Sequence, residues 1–480
     1  MLSPPEQPVR WLEARAADAP DAVAIRDDHG EITYADLWDA LGGWYATVAD
    51  DGFDAARPVA VLTNDRRLLA RAVWLALYAG CPALPLDPRR PTTLALLDTL
   101  NIDQVIADDS YAELPGVRYL PAAVLDETGH RAALPPTPRP PRAPQLLITT
   151  SGTEGTPKAV MLGTGALSAS ATSTCESFDL GAGDRWLCCL PVVHIGGLMI
   201  LLRCARAGAT VELRQNFDPA ATWRDLQAGT THTSLSPAML HCILDAAGDP
   251  PAPASLRHVL MGGAPLPSAL ARRAADLGWP LTETFGMSET ATHVAIVDPV
   301  TRALRPMAGC GIDLVDLGVG EGEPGRLRLE GPTLMLGYAN PAMTPGDGLD
   351  RRGGLQTSDL GRPLDNGLVR VVGREDDVII CGGLNIHPVE VETMLALCPG
   401  VDELAITGRP DPVWGEKLVA IYVGNADPAG FAEWVGCNVP GRFRPRTYVR
   451  VPALPRNPMG KLQRDRLGEL VSPDRTYEPA

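Results

Sequence analysis

A stretch rich in glycine and hydroxyl residues, TTSGTEGTPK, occupies Thr149–Lys158 directly after the apolar run Gln145–Ile148. Glycines leave backbone N–H groups unhindered, and hydroxyl side chains and a lysine can bind phosphate oxygens. The spacing differs from that of the P-loop, because Pro157 stands before the lysine. The stretch therefore predicts a strand followed by a phosphate-binding loop, with a flexible surface loop as the alternative.

On both sides of this loop, apolar strands alternate with helical patterns. Trp11, Leu12 and Ala16 share one helical face near the N-terminus, and a second helix is predicted from Tyr34. Strands are predicted at residues 22–26 and 59–62, a helix at 67–79, and a Pro-rich surface connector at 135–144. Alternation of this kind, down to about residue 300, predicts layered α/β architecture with largely parallel sheets.

The pattern changes from about Asp298. Short strands such as GRLRLEG and GLVRVVG are separated by Gly, Pro and Asp, which predicts a small β-rich, barrel-like subdomain. After Arg374 an α+β pattern follows, with a helix predicted at residues 388–397. The chain has 480 residues, too many for one compact core. We therefore predict a large N-terminal domain of residues 1–374 and a smaller, mobile C-terminal domain of residues 375–480.

The charge, the cysteines and the apolar runs of the sequence exclude several classes of protein. The net charge is −16, from 42 basic and 58 acidic residues, which argues against bulk nucleic-acid binding. An anionic ligand must therefore be bound by local donors. The ten cysteines show no CxxC spacing and are expected to be reduced thiols. The sequence shows no signal-peptide pattern and no apolar run of membrane-spanning length, so a cytoplasmic protein is expected.

Further motifs follow the phosphate loop in a fixed order. They are LPVVHIGGL (Leu190–Leu198), MGGAPLP (Met261–Pro267), TFGMSET (Thr284–Thr290), QTSDLG (Gln356–Gly361), GREDDVIICGGLNIHPVEVE (Gly373–Glu392) and PRNPMGKLQR (Pro455–Arg464). Together they resemble the adenylate-forming superfamily of acyl-CoA synthetases, adenylation domains and firefly luciferase, over nearly the whole chain. The resemblance implies an enzyme that uses ATP and Mg²⁺ to convert a carboxylic acid to its acyl-adenylate.

The resemblance also implies the nucleotide site. ATP and AMP would contact Thr150, Ser151, Gly152, Thr153, Gly155, Lys158, Gly263, Ala264, Pro265, Thr284, Phe285, Gly286, Ser288, Asp359 and Arg374. Phe285, at a position where Tyr is usual, would stack on the adenine, while Asp359 and Arg374 would bind the ribose. Glu289 would bind Mg²⁺, since a hard carboxylate suits a hard cation. Glu154 is expected to point to solvent, away from the triphosphate.

Other matched positions imply the two-step chemistry. Lys461 corresponds to the catalytic lysine of adenylation, and His194 to a residue that gates the acyl pocket. Asp376 matches the hinge of the mobile domain. Gly382 and Gly383 would border the tunnel through which CoA delivers its thiol.

Within the superfamily, the stretches 184–223 and 231–240 resemble the group that ligates o-succinylbenzoate to CoA. That acid has a second carboxylate, which a buried pocket must satisfy. The candidate pocket residues are His194, Gly196, Gly197, Ser234, Ser236, Thr292 and His293, with the two glycines leaving room for a flat substrate. Gly196 and His293 depart from the usual pattern, so another aryl acid (benzoate, anthranilate or salicylate type) and an aliphatic acid stay open.

The thiol acceptor and the class of protein also have alternatives. Arg442, Arg444 and Arg446 would suit the 3′-phosphate of CoA, whereas a carrier-protein phosphopantetheine would not need them. A luciferase-like oxygenase would form the same adenylate. A binding module without catalytic activity is a further alternative, but it would not need both the catalytic Lys461 and the Mg²⁺ ligand Glu289. Relatives of this kind are monomers or homodimers, and the sequence does not distinguish the two.

Overall fold

The structure, a computed structural model, describes residues 7–89, 93–111, 116–126, 135–150, 158–316, 323–456, 460–472 and 476–479. These residues form three β-sheets with helices packed against them. In the part that is described, no helix combines the length and the apolar character needed to cross a membrane.

The region up to Arg374 holds the two larger sheets. Its helices are α1 (Pro8–Asp18), α2 (Tyr34–Asp50), α3 (Arg66–Ala79), α4 (Thr93–Leu100), α5 (Thr164–Ser177), α6 (Ile195–Ala207), α7 (Pro219–Gln227), α8 (Pro237–Ala247) and α9 (Ser268–Asp276). Its strands are β1 (Val23–Asp27), β2 (Gly30–Thr33), β3 (Val59–Leu62), β4 (Ala83–Pro85), β5 (Gln104–Ala107), β6 (Arg118–Pro121), β7 (Pro144–Thr150), β8 (Lys158–Gly163), β9 (Arg185–Cys188), β10 (Thr210–Leu213), β11 (His232–Leu235), β12 (His258–Met261), β13 (Leu281–Met287), β14 (Thr292–Val297), β15 (Ala303–Pro306), β16 (Gly311–Val315), β17 (Gly325–Glu330), β18 (Gly337–Tyr338), β19 (Leu355–Pro363) and β20 (Val369–Arg374).

The region after Arg374 forms the third sheet. It consists of β21 (Ile379–Cys381), β22 (Leu384–Ile386), α10 (Pro388–Leu395), β23 (Val401–Asp411), β24 (Gly415–Gly424), α11 (Pro428–Asn438), β25 (Thr447–Arg450) and β26 (Thr476–Tyr477). A short 3₁₀ turn, Glu375–Asp377, joins the two regions.

Local signals determine where several helices begin and end. Helix α2 begins at Tyr34, as predicted, because the Thr33 side chain accepts a hydrogen bond from the Asp36 N–H. Helix α3 begins after Asp65, which caps it, and ends at Gly80 in the left-handed conformation (φ 76°). The helix predicted to run to Leu397 ends at Leu395.

The largest sheet changes from parallel to antiparallel at β13. Strands β1, β10, β9, β11, β12 and β13 pair in parallel, whereas β13 and β14 run antiparallel, as do the strands beyond them. The β-rich segment predicted from about residue 298 is this antiparallel part. In the second sheet, β4 and β7 are parallel and β7 and β8 antiparallel. Ligands of α/β proteins bind at such switch points, beyond the carboxyl ends of the strands.

The two regions have separate hydrophobic cores. The largest cluster of buried apolar residues runs from Val9 to Val369, and a second begins at Ile379. The mixed α/β fold with a large and a small part is therefore confirmed. The domain boundary between residues 374 and 375 stays a proposal.

Candidate active site

The predicted nucleotide and pocket residues follow neighbouring strands of the largest sheet. His194 lies beyond β9 at the N-cap position of α6, and Ser236 follows β11 and caps α8 by accepting a hydrogen bond from the Met239 N–H. Gly263 follows β12, while Thr284 and Phe285 lie in β13 beside it. Since β9, β11, β12 and β13 are parallel, these residues lie along one edge of the sheet, and the space beyond that edge is called the cleft below.

The phosphate loop connects the two strands at the edge of the second sheet. Thr150, at the end of β7, pairs with Lys158, at the start of β8. The predicted loop residues Ser151, Gly152, Thr153, Glu154 and Gly155 lie outside the described residues. The Nζ atom of Lys158 lies 5.3 Å from the centre of the Tyr338 ring, in cation–π geometry.

Glu289 lies in the 3₁₀ turn Ser288–Thr290 that follows β13. Its Oε1 atom accepts a hydrogen bond of 3.0 Å from the Tyr338 hydroxyl. Burial and the neighbouring Glu289 raise the pKa of Tyr338, which keeps the phenol protonated as the donor. Within the described ranges, no lysine or arginine forms an ion pair with Glu289. A carboxylate with this remaining acceptor capacity suits a hard divalent cation such as Mg²⁺.

Asp359 and Arg374 face each other across β19 and β20, with 3.4 Å between Oδ1 and Nη1. Burial raises the pKa of Asp359, while Arg374 and Lys461 act in the other direction. The charge of Lys461, more than 100 residues further along the chain, therefore reaches the predicted ribose site. The structure pairs Asp359 with Arg374, and the Lys461 ammonium acts on the same carboxylate electrostatically.

The loop before Lys461 packs against α8. A Cβ atom at Gly460 would lie 2.7 Å from the Ser236 Oγ, so only glycine permits this approach. Arg456 fixes the loop from one side. It donates a hydrogen bond of 2.9 Å to the Gly460 carbonyl and forms an ion pair of 2.8 Å with Glu403.

The other side of this loop is fixed by Arg464. Its guanidinium lies 2.9 Å from Glu392 and 3.4 Å from Asp377, and it donates to the Ile406 carbonyl at 3.2 Å. Arg464 thereby joins the loop to α10, to β23 and to the turn at residues 375–377.

Thr292 and His293 begin β14 and are buried, as expected of pocket residues. The Nη2 atom of Arg203 donates to the Thr292 Oγ1 at 2.6 Å, and the His293 Nε2 lies 2.9 Å from the Thr174 Oγ1. Sequence reasoning missed Arg203. The available signal was a charge in the middle of the apolar helix α6, two turns after Gly196 and on the same face.

Arg203 is 2% exposed, and its Nε atom has no hydrogen-bond partner within the described residues. No carboxylate pairs with it in that part of the chain. Burial lowers the pKa of Arg203 to about 10, so it stays charged at neutral pH. Burial, followed by the charge of Arg203, lowers the pKa of His293 well below its ordinary value, which keeps His293 neutral. A buried cation without a counter-ion is costly, and a bound anion would offset that cost.

The backbone beside this cluster is strained. Ala291 has φ 49° and Thr292 φ 113°, a region that β-branched residues rarely adopt. Opposite them, a Cβ atom at Gly286 would lie 1.9 Å from the Thr292 carbonyl oxygen, so the two strands meet only through a glycine. Strain of this kind is concentrated at functional sites.

The glycine at position 197 has a packing role of its own, and the prediction that it leaves room for substrate stays a prediction. A Cβ atom there would lie 2.6 Å from the Pro191 carbonyl oxygen, so this glycine serves the packing of α6 against its own loop. At Gly196 the nearest atom, Leu190 Cδ1, would be at 3.5 Å, which is ordinary contact. Ser234 is buried at the end of β11.

The predicted hinge and thiol-tunnel residues lie in the C-terminal region and in the turn before it. Asp376 lies 3.5 Å from Arg374. Gly382 and Gly383 form the exposed turn between β21 and β22, with φ 60° and 78°, as a tight hairpin requires. The Trp414 ring packs against Gly382.

Comparisons with known proteins agree with this geometry. The family model described as AMP-binding enzyme matches residues 12–339, and that of the AMP-binding enzyme C-terminal domain matches residues 390–461. A 2-succinylbenzoate–CoA ligase of Bacillus cereus is 29% identical over 487 residues, covering 96% of this chain and 98% of the relative.

Two solved structures of o-succinylbenzoate CoA synthetase (MenE) from Bacillus subtilis are similar throughout. The complex with the acyl-adenylate intermediate OSB-AMP has a TM-score of 0.83 and 27% identity, covering 95% of this chain and 97% of that one. The complex with ATP and magnesium ion has a TM-score of 0.82 and 28% identity, covering 95% and 99%. The family model covers more than half of the chain, and on that ground the chain belongs to the AMP-binding enzymes.

Proposed function

We propose that the protein is an AMP-forming acid–thiol ligase that activates o-succinylbenzoate with ATP and transfers the acyl group to CoA. The relatives named for this reaction support the acid and the thiol. The observation that carries the choice of acid is Arg203, a buried cation without a carboxylate partner in the described chain, next to Thr292 and His293. A second carboxylate on the substrate is the anion that such a pocket lacks.

In the first step, a carboxylate oxygen of the acid forms a bond to the α-phosphorus of ATP. The bond between the α-phosphorus and the bridging oxygen breaks, and pyrophosphate leaves. The protein contributes alignment and charge neutralisation rather than covalent chemistry. We assign Lys461 to the substrate carboxylate and α-phosphate, Lys158 to the outer phosphates and Asp359 to the ribose. Mg²⁺, held by Glu289, would neutralise phosphate charge when bound.

In the second step, the CoA sulfur forms a bond to the acyl carbon, and the thiol proton passes to solvent. The bond between the acyl carbon and the phosphate oxygen breaks, and AMP leaves. Asp376 as the hinge and Gly382–Gly383 as the tunnel border are part of this proposal, together with a mobile domain of residues 375–480. A cleft that serves two reactions in turn requires such a rearrangement.

Three arginines support CoA rather than a carrier protein as the acceptor. Arg442 and Arg446 are exposed, and no carboxylate pairs with either of them in the described chain. Arg444 is partly buried, and its Nε donates to the Val439 carbonyl at 2.6 Å. Exposed guanidinium groups without counter-ions suit the phosphates of CoA. A carrier-bound phosphopantetheine has no 3′-phosphate and would leave these arginines without that partner.

The first experiment measures pyrophosphate release with ATP and Mg²⁺ over a panel of acids, with and without CoA. We expect o-succinylbenzoate to be preferred over 4-oxo-4-phenylbutanoate, which lacks only the ring carboxylate, by about 100-fold in kcat/KM. Equal activity with both acids would contradict the proposed specificity and leave the adenylating reaction in place. Activity with only benzoate, salicylate or anthranilate would mean that the substrate is another aryl acid.

Substitution of Arg203 tests the same point from the protein side. Arg203→Met should remove most of the preference for the diacid while 4-oxo-4-phenylbutanoate is used about as before. Arg206→Met is the matched control, because Arg206 lies one turn further along α6 and stacks on Trp11. A preference that survives Arg203→Met would show that another group binds the ring carboxylate.

A further inference from the structure

One side chain outside all the motifs contacts both ends of the triphosphate site. Tyr338 ends the short strand β18, at the edge of the second sheet beside β8. Its hydroxyl donates to the Glu289 Oε1 at 3.0 Å, and its ring face lies 5.3 Å from the Lys158 Nζ. Glu289 follows a strand of the first sheet and Lys158 begins a strand of the second, so Tyr338 connects the two sheets across the cleft.

The chain around Tyr338 keeps the ring in this position. Its backbone N–H donates to the Asp347 carbonyl at 2.9 Å, and β18 pairs with β8 through Val160. Gly348 lies against the ring, since a Cβ atom there would be 2.5 Å from Tyr338 carbons. Three residues earlier, the Met335 N–H donates to the Glu289 carbonyl at 2.8 Å. The segment therefore fixes Glu289 through its backbone and its side chain together.

We propose that Tyr338 is a positioning residue for the divalent cation: its hydroxyl orients the Glu289 carboxylate, and its ring keeps the Lys158 ammonium on the same side of the cleft. A hydrogen bond to Oε1 selects one rotation of the carboxylate and leaves Oε2 without a partner within the described chain. Groups that orient a metal-binding carboxylate in this way are worth about 10- to 100-fold in metal affinity. The inference rests on the proposed ATP-dependent reaction.

The deciding experiment measures Mn²⁺ binding to the full chain saturated with ATP, by electron paramagnetic resonance and in the absence of any acid. Tyr338→Phe keeps the ring over Lys158 and removes only the hydroxyl. We expect its Mn²⁺ affinity in the ATP complex to fall at least about tenfold. The affinity for AMP without metal should stay unchanged, because that ligand does not use Glu289.

Two comparisons separate positioning from a general loss of structure. Tyr119→Phe removes the same atom from a phenol that donates to a carboxylate, Asp109, at 2.7 Å. It lies on β6, at the opposite edge of the same sheet, and should leave Mn²⁺ affinity unchanged. In a Glu289→Gln background, Tyr338→Phe should cause no further loss of Mn²⁺ affinity, because both changes act on one interaction.

Native Mn²⁺ affinity in Tyr338→Phe would overturn the proposal, as would a full additional loss in the Glu289→Gln background. If Tyr338→Phe does not fold, Gly348→Ala, which displaces the ring without deleting an atom of it, carries the same expectation. The assay contains no acid, so an error in the assigned substrate leaves it unaffected. A native protein that binds no ATP would instead contradict the proposed function itself.

Discussion

The two walls of the cleft are built in opposite ways. The acyl wall, with Arg203, Thr292 and His293, is buried inside the large core, and its polar groups bond mainly to one another. The wall that carries Lys461 is an exposed loop, anchored by Arg456 and Arg464 to the C-terminal sheet and its helix. The groups proposed to select the acid are therefore held inside the core. The group proposed to catalyse adenylation is held only through the C-terminal region.

The sharpest way to break this comparison is to remove Lys461. Lys461→Ala should lower the rate of adenylation by about 10²- to 10³-fold, the loss expected for one preorganised donor. Formation of the CoA thioester from supplied acyl-adenylate should stay near the native rate if, as we propose, the loop leaves the cleft before that step. Rapid-quench kinetics of the two half-reactions measure this. An equal loss in both steps would mean that the loop stays in place throughout.

A smaller effect is expected at the base of the loop. Arg464→Met removes the cation that pairs with Glu392 and Asp377 and leaves Glu392 only the Ile406 N–H. We expect the free energy of unfolding of the C-terminal region to fall by about 2 kcal/mol, below the range for fully buried pairs. Hydrogen exchange of amides in β23 and β24 would report it. Arg466→Met breaks only the exposed pair with Glu469. It should change the free energy of unfolding obtained from exchange by less than about 0.5 kcal/mol. Similar exchange in the two variants would contradict the anchoring role.

The smallest effect concerns an ion pair between the two regions. Arg362 on β19 and Glu390 on α10 lie 3.1 Å apart and are partly exposed. Glu390→Gln should weaken the arrangement seen here by about 0.5–1 kcal/mol, which is a two- to fivefold shift in a conformational equilibrium. The exposed thiols Cys242 and Cys437 lie on α8 and α11, so spin labels there measure the distance between the regions. An unchanged distance distribution would show that this pair does not favour one arrangement.

Local features of the fold were predictable from sequence, and long-range ones were not. Helix α2 begins at Tyr34 because its cap, Thr33, is its neighbour in sequence. The close approach of Pro191 to Gly197 was not predicted, because it depends on how the loop turns before α6. Arg203 was missed because its meaning depends on Thr292, a residue 89 positions away. Tyr338 was missed for the same reason, since only the folded chain places it at Glu289.

The contact between Gly286 and Thr292 also has an evolutionary consequence. Because the Thr292 carbonyl oxygen fills the space of any Cβ at Gly286, no side chain fits there without moving β13 or β14. Those strands carry Phe285 on one side and His293 on the other. Substitutions that change the accepted acid can therefore occur at His293 or Arg203, whereas Gly286 must stay glycine. A saturation library scored for growth or activity should accept several residues at His293 and only glycine at Gly286.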